Sequence, residues 1–246
     1  MITPSRSTLN ILFALCIAVL MQAPLLDAQR VTVTAKIVQP KHKGGKAQGA
    51  NSAVVWLVPR AGEGIQNDAA RLSTHAQLVQ KDKTFEPHLL VIPAGTLVDF
   101  PNRDPFFHNV FSLFDGKRFD LGLYEAGSSR AVRFDRPGIS YIFCNIHPQM
   151  SAVVIAMNTP YFAVADRDGA VAIKNVPAGT YRVELWAEDA SVQALDKLSK
   201  EITIGENTAS LGVLNVPENR LSATHKNKYG RDYEPVPAGV TYDPHD

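Results

Sequence analysis

The residues best placed to do chemistry sit in one short stretch, Phe143-Cys144-Asn145-Ile146-His147-Pro148-Gln149-Met150. A thiol, an imidazole and a thioether follow one another there at three-residue spacing. A fourth donor, His108, lies upstream, next to the turn residues Asn102, Arg103, Asp104 and Pro105. Two imidazoles and one thiolate in a near-trigonal plane, with a weak axial thioether, make an electron-transfer copper site. Thiolate and thioether suit Cu(I), and imidazole suits both oxidation states. Zinc fits less well, because a thioether is a poor zinc ligand. Phe106, Phe107, Phe111, Phe143 and Pro148 would keep water away from such a centre.

Each donor also has an ordinary reading. Cys144 can be a buried thiol, His147 a loop histidine and Met150 a core residue. Four donors in the right order, from two segments, favour the metal. His88 reads as a structural or surface histidine, and His42, His75, His225 and His245 as solvated side chains.

The cysteine count sharpens this. The chain has two cysteines, Cys16 and Cys144. Arg6 followed by the apolar run 11–21 reads as an export signal, with cleavage after Ala28. That run is shorter than the ~20 residues needed to span a bilayer, so no membrane anchor is expected after cleavage. Cys16 leaves with the signal, and Cys144 becomes a lone thiol in an oxidising compartment. It is then inert, paired with another chain, or bound to a metal.

The donors need a rigid frame, and the sequence offers strands. Short Val-rich runs at 31–38 and 53–58 flank a polar loop at 40–51. Further strands are expected at 88–92, 96–100, 108–113, 131–134, 140–144 and 152–157, with turn chemistry between them. Residues 68–80 are ambiguous and can hold a short helix. Cys144, His147 and Met150 then share one inter-strand loop, and a sandwich can bring His108 beside it at the same pole. The formal net charge is +1, without a long run of one sign, so nothing points to nucleic acid.

These motifs resemble the cupredoxins, amicyanin above all. The match runs from about residue 85 to 157 through Gly95, Asn102, Asp104, His108-Asn109-Val110, Gly138, Tyr141, Cys144, His147 and Met150. The resemblance implies an all-β Greek-key sandwich holding one type 1 copper ion on His108, Cys144, His147 and Met150. Around the metal it implies Asn109, Phe143 and Pro148. Asn109 would join the two ligand segments by hydrogen bonds, and His147 would pass the electron at the surface.

A second, smaller β-sandwich is expected at 159–217. Asp168-Gly169 through Asn175-Val176-Pro177-Ala178-Gly179-Thr180-Tyr181 resembles the carboxypeptidase regulatory-like, or transthyretin-like, module. Asp166 to Gly169 reads as a hairpin turn. It is no calcium loop, because Pro177 stands where the twelfth-position glutamate belongs. The expected organisation is a signal peptide at 1–28 and N-terminal strands at 29–65, which can belong to the second sandwich. The copper domain comes next at 66–158, then the second module at 159–217, and an extended or disordered tail at 218–246.

Function enters as an expectation. The leading reading is a periplasmic carrier of single electrons, meeting a c-type cytochrome or a periplasmic dehydrogenase. The alternative is a module for copper storage, delivery or sensing without fast electron transfer. An enzyme is not expected: the chain lacks the extra histidine clusters of multicopper oxidases and copper nitrite reductases, and shows no nucleophile triad or phosphate loop. No residue indicates methylamine metabolism.

Overall fold

A computed structural model of the chain describes residues 30–39, 53–60, 75–113, 116–188, 190–205, 210–217 and 225–233. The expected signal segment and the loop at 40–51 lie outside them.

Alternation of apolar and polar residues builds most of the strands. β1 (Arg30–Val38) buries Val33, Ala35 and Ile37 on one face, and β2 (Ala53–Pro59) buries Val55 and Leu57. The middle of the chain forms β3 (His75–Gln77), β4 (Val79–Lys81), β5 (Thr84–Glu86), β6 (Leu89–Pro93) and β7 (Thr96–Pro101). It continues with β8 (His108–Ser112), β9 (Phe119–Tyr124), β10 (Ser129–Phe134), β11 (Gly138–Cys144) and β12 (Ser151–Met157). The rest holds β13 (Phe162–Val164), β14 (Ala170–Pro177), β15 (Gly179–Ala187), a five-residue helix α1 (Val192–Asp196), β16 (Lys200–Ile204) and β17 (Ser210–Asn215).

The fold is all-β, arranged as two sandwiches. In the first, the sheet β6-β12-β11-β8-β9 covers the sheet β10-β7-β3, with the β4–β5 hairpin beside it. Non-consecutive neighbours in the larger sheet are the crossovers of a Greek key. Val98, Phe100, Val110, Phe134, Ile142 and Val154 fill the space between. In the second, β14-β1-β17 covers β13-β2-β15-β16 around Val33, Val55, Leu57, Ile173, Val183 and Leu185. β1 pairs antiparallel with β14 and parallel with β17, and β2 pairs antiparallel with β13 and β15. The first sandwich, from β3 to β12, therefore lies in sequence between β2 and β13.

β12 serves both cores. Its side chains alternate across the sheet, so Ala152, Val154 and Ala156 enter the first core while Val153, Ile155 and Met157 enter the second. That is why this strand is a continuous apolar run. Polar contacts reinforce the seam: Trp186 Nε1 donates to the Tyr141 hydroxyl at 3.2 Å, and His88 Nε2 meets Glu188 at 2.6 Å.

Some local expectations change. The described part of 68–80 holds two short strands, β3 and β4, on either side of Leu78, and Leu78 and Gln80 are buried two residues apart, the period of extended chain. β9 and α1 carried too little periodic signal to be expected; α1 is started by the Ser191 hydroxyl, which accepts from Ala194 N. Asp166 to Gly169 is a tight turn in which Asp166 Oδ1 accepts from the amides of Asp168 and Ala170. It is an arch between sheets rather than a hairpin, since β13 pairs with β2 and β14 with β1. Gly169 is required there: a Cβ would lie 2.2 Å from the Ile37 carbonyl oxygen.

Candidate metal centre

His108 opens β8 and Cys144 closes β11. Cys144 pairs with Val110 across the ladder, which sets both ligand segments at one pole of the first sandwich. The chain leaves β11 into a loop turned back by two backbone bonds, Met150 N to His147 O at 3.0 Å and Cys144 N to Met150 O at 3.3 Å. His147 is thereby folded over Cys144. The sulfur of Cys144 lies 3.5 Å from Nδ1 of His108 and 3.5 Å from Nδ1 of His147, and the two Nδ1 atoms are 3.1 Å apart. A point in the plane of that triangle is about 2.0 Å from every donor, the length of a metal–imidazole bond. His108, Cys144 and His147 form a cluster able to hold a metal ion.

The protonation of the donors supports the same reading. Nε2 of His108 faces Oδ2 of Asp104 at 2.8 Å, so its proton belongs there and Nδ1 presents a lone pair to Cys144. Burial holds His108 below its ordinary pKa, against the pull of Asp104. His147 is pushed down to about 4, first by burial and then by the neighbouring His108 and Lys83. Both rings are neutral near pH 7, the state a metal needs. Burial pushes the Cys144 thiol up, opposed by the backbone amides of Ile146, Asn109 and His147. Metal uptake must therefore displace the thiol proton.

Asp104 is the support that sequence reading left without a role. Its carboxylate accepts from the amides of Asp82 at 2.6 Å and Lys83 at 3.1 Å, in the turn between β4 and β5. Both turn residues have positive φ, 54° and 55°, an uncommon backbone for these types that aims both amides at one acceptor. Asn102 closes the loop from within: its Oδ1 accepts from Asp104 N at 3.0 Å and its Nδ2 donates to the Phe106 carbonyl at 2.8 Å. The motif Asn102-x-Asp104 was the available signal. The amides reaching it come from a hairpin some twenty residues earlier.

Met150 is fully buried in the first core with Cys144 and Val110. Phe106 packs against both imidazoles, with ring centroids 5.3 Å from His108 and 5.4 Å from His147. Phe111 is buried, but Phe107 is 49% exposed and Pro148 also faces solvent, so these two do not seal the site as expected. Adjacent strand residues point to opposite faces, and His108 takes the inner one. Asn109 joins the segments by another route than a direct side-chain bond: its carbonyl accepts from Asn145 N at 2.8 Å, while Nδ2 donates to Asp120 at 2.6 Å.

His88, read as structural or surface, is structural, and His75 and His225, read as solvated, also have partners. His88 pairs with Glu188, and the part-buried His225 stacks on Phe143 with centroids 4.1 Å apart. Residues 225–233, read as part of a loose tail, lie against the metal loop. Asp120, Lys228 and Tyr233 were missed altogether, because nothing local to them signals a site. His75 pairs with Asp99, while His42 and His245 fall outside the described residues. Among the described residues no helix is long and apolar enough to cross a membrane.

A family model described as polysaccharide lyase family 4, domain II, matches residues 147–210. No curated protein matches the chain. Similar solved structures include a purple cupredoxin from Nitrosopumilus maritimus, with 26% identity, 33% of this chain and 99% of that one covered, and a TM-score of 0.31. A copper-containing nitrite reductase from Thermus scotoductus SA-01 has 20% identity, with 50% of this chain and 28% of that one covered and a TM-score of 0.33. A reduced amicyanin variant has 20% identity, with 36% of this chain and 89% of that one covered and a TM-score of 0.32.

Proposed function

We propose that this chain is an exported type 1 copper protein that carries single electrons. The observation behind this reading is the triangle of His108 Nδ1, Cys144 Sγ and His147 Nδ1, with sides of 3.1 to 3.5 Å, set in rigid β structure. His108, Cys144 and His147 would hold one copper ion, with Met150 as the axial donor. Bound copper would supply a one-electron couple.

The chain's own residues do the rest. The Asp104 carboxylate holds the proton on His108 Nε2 and orients the ring. Asn145 N, tied to the Asn109 carbonyl, keeps the Cys144 loop against β8. Phe106 covers the rings, and burial of Cys144 keeps water from the sulfur. Donors held in place need little rearrangement on a change of oxidation state. His147, only partly buried, is the edge through which a partner would exchange the electron.

The compartment proposed is the periplasm, and the partner a c-type cytochrome or a periplasmic dehydrogenase. The second sandwich is read as a carboxypeptidase regulatory-like module. The chain itself is read as a carrier rather than an enzyme.

The test is to load the mature protein with Cu(II) and record its visible and spin-resonance spectra and its potential. An intense Cys144-to-Cu(II) band with a reversible couple is the expected result. Weakly held copper without that band would leave storage, delivery or sensing as the better reading.

A further inference from the structure

Residues 225–233 lie across the loop that carries Cys144, and three residues hold them there. The His225 ring stacks on Phe143, with 20° between the planes. The Tyr233 hydroxyl donates to the Cys144 carbonyl at 2.8 Å. Lys228 reaches the Cys144 loop directly and the strand of His108 through Asp120 of β9. Its amide donates to Asn145 Oδ1 at 3.0 Å, and its ammonium pairs with Asp120 Oδ2 at 2.8 Å. The other oxygen of Asp120 accepts from Asn109 Nδ2 at 2.6 Å, next to His108. One tail residue thus links the loop of Cys144, by way of Asp120, to the strand of His108.

The segment is shaped for this. Asn227 Oδ1 accepts from the amides of Tyr229 and Arg231, Asn227 N donates to the Arg231 carbonyl, and Gly230 N donates to the Asn227 carbonyl. Such a self-bonded turn reduces the conformational entropy lost on docking.

We propose that residues 225–233 form a built-in clasp on the metal centre, in which Lys228 and Tyr233 position the Cys144 loop against β8 and so retain the metal. The inference rests on the metal-binding reading above. Release requires Cys144 and His147 to part from His108. The clasp opposes that parting because its bonds must break with each local opening. It acts through the ligand loop, so Lys228 and Tyr233 are positioning residues and not ligands.

The experiment uses the full chain, metal-free and loaded with Cu(II), with the variants Lys228→Ala, Tyr233→Phe and the two combined. Loss of copper to excess EDTA is timed, and amide hydrogen exchange at Asn145 is measured on the metal-free protein. In the combined variant copper loss should be about tenfold faster and Asn145 exchange raised to a similar degree, the effect of one or two lost hydrogen bonds. Lys228→Arg, which keeps the charge opposite Asp120, should retain slow loss. Copper loss and exchange both unchanged in the combined variant would overturn the clasp. A parent that takes up no copper would sink the metal reading alone, and exchange at Asn145 then judges the clasp by itself. If the combined variant fails to fold, Tyr233→Phe decides by the same two rates, since it removes a single oxygen.

Discussion

Apart from aromatic side chains such as Tyr161 and Trp186, the second sandwich buries little that is polar. Of the nine buried polar side chains among the described residues, only Thr159 belongs to it. The first sandwich buries Gln80, Thr96, Asn102, Asp104, His108, Asn109, Ser112 and Ser140. A polar group taken from water is costly unless it finds a partner. In the first sandwich Asn102, Asp104 and His108 form one hydrogen-bonded chain that ends beside the Cys144 sulfur, and Asn109 accepts from Asn145 in the ligand loop. The comparison teaches a division of labour: one sandwich is packed for stability, and the other gives up apolar packing to hold donors in place. Four perturbations test this division.

The largest effect is expected from Cys144→Ser. It removes the soft donor, so the copper-loaded protein should lose its sulfur-to-metal band completely, as visible absorption would show, while the fold survives. Leu57→Ala is the counterpart in the second sandwich. Leu57 is fully buried, and its truncation should cost about 2–5 kcal/mol in urea unfolding yet leave the spectrum unchanged. A shifted spectrum would mean that the two sandwiches are not divided in this way.

Asp104→Asn should do the reverse. It weakens the charge-assisted bond to His108, and copper affinity measured by chelator competition should fall by about 10- to 100-fold. Its effect on stability should be smaller than that of Leu57→Ala.

The smallest effect belongs to the seam between the sandwiches. Nδ1 of His88 meets the Ser151 carbonyl at 3.1 Å and Nε2 meets Glu188 at 2.6 Å, so the charged ring can donate to both at once. The hydrogen bond to Glu188 raises the His88 pKa against its burial. A raised value in the folded state contributes stability that is full below the unfolded pKa of about 6.5 and lost as pH rises through the folded one. His88→Gln should therefore cost about 1 kcal/mol near pH 5.5 and little at pH 9, read by urea unfolding at both. An equal cost at both pH values would show that the seam does not depend on that charge.

Legibility in the sequence tracks the range of the interactions. The run Cys144-x-x-His147-x-x-Met150 is local, so its chemistry can be read without a fold. The continuous apolar run of β12 announces a strand with both faces covered, although not what covers each face. β3 to β5 escaped notice because they are three residues each and sit in a polar stretch. The arch at 166–169 was mistaken for a hairpin because turn chemistry reports the bend and not the sheet that each flanking strand joins.

By itself the sequence determined the donor types, their spacing within one loop and the period-two pattern of an all-β chain. These depend on neighbours a few residues apart, where side-chain direction and backbone preference act directly. Only the tertiary structure decided that His108 meets Cys144, that the amides of Asp82 and Lys83 hold Asp104, and that Lys228 links the Cys144 loop to β8 by way of Asp120. Those contacts join residues that are far apart along the chain, or whose meeting depends on sheet pairing. No local preference encodes them; they exist because burying two β cores brings the segments to one pole.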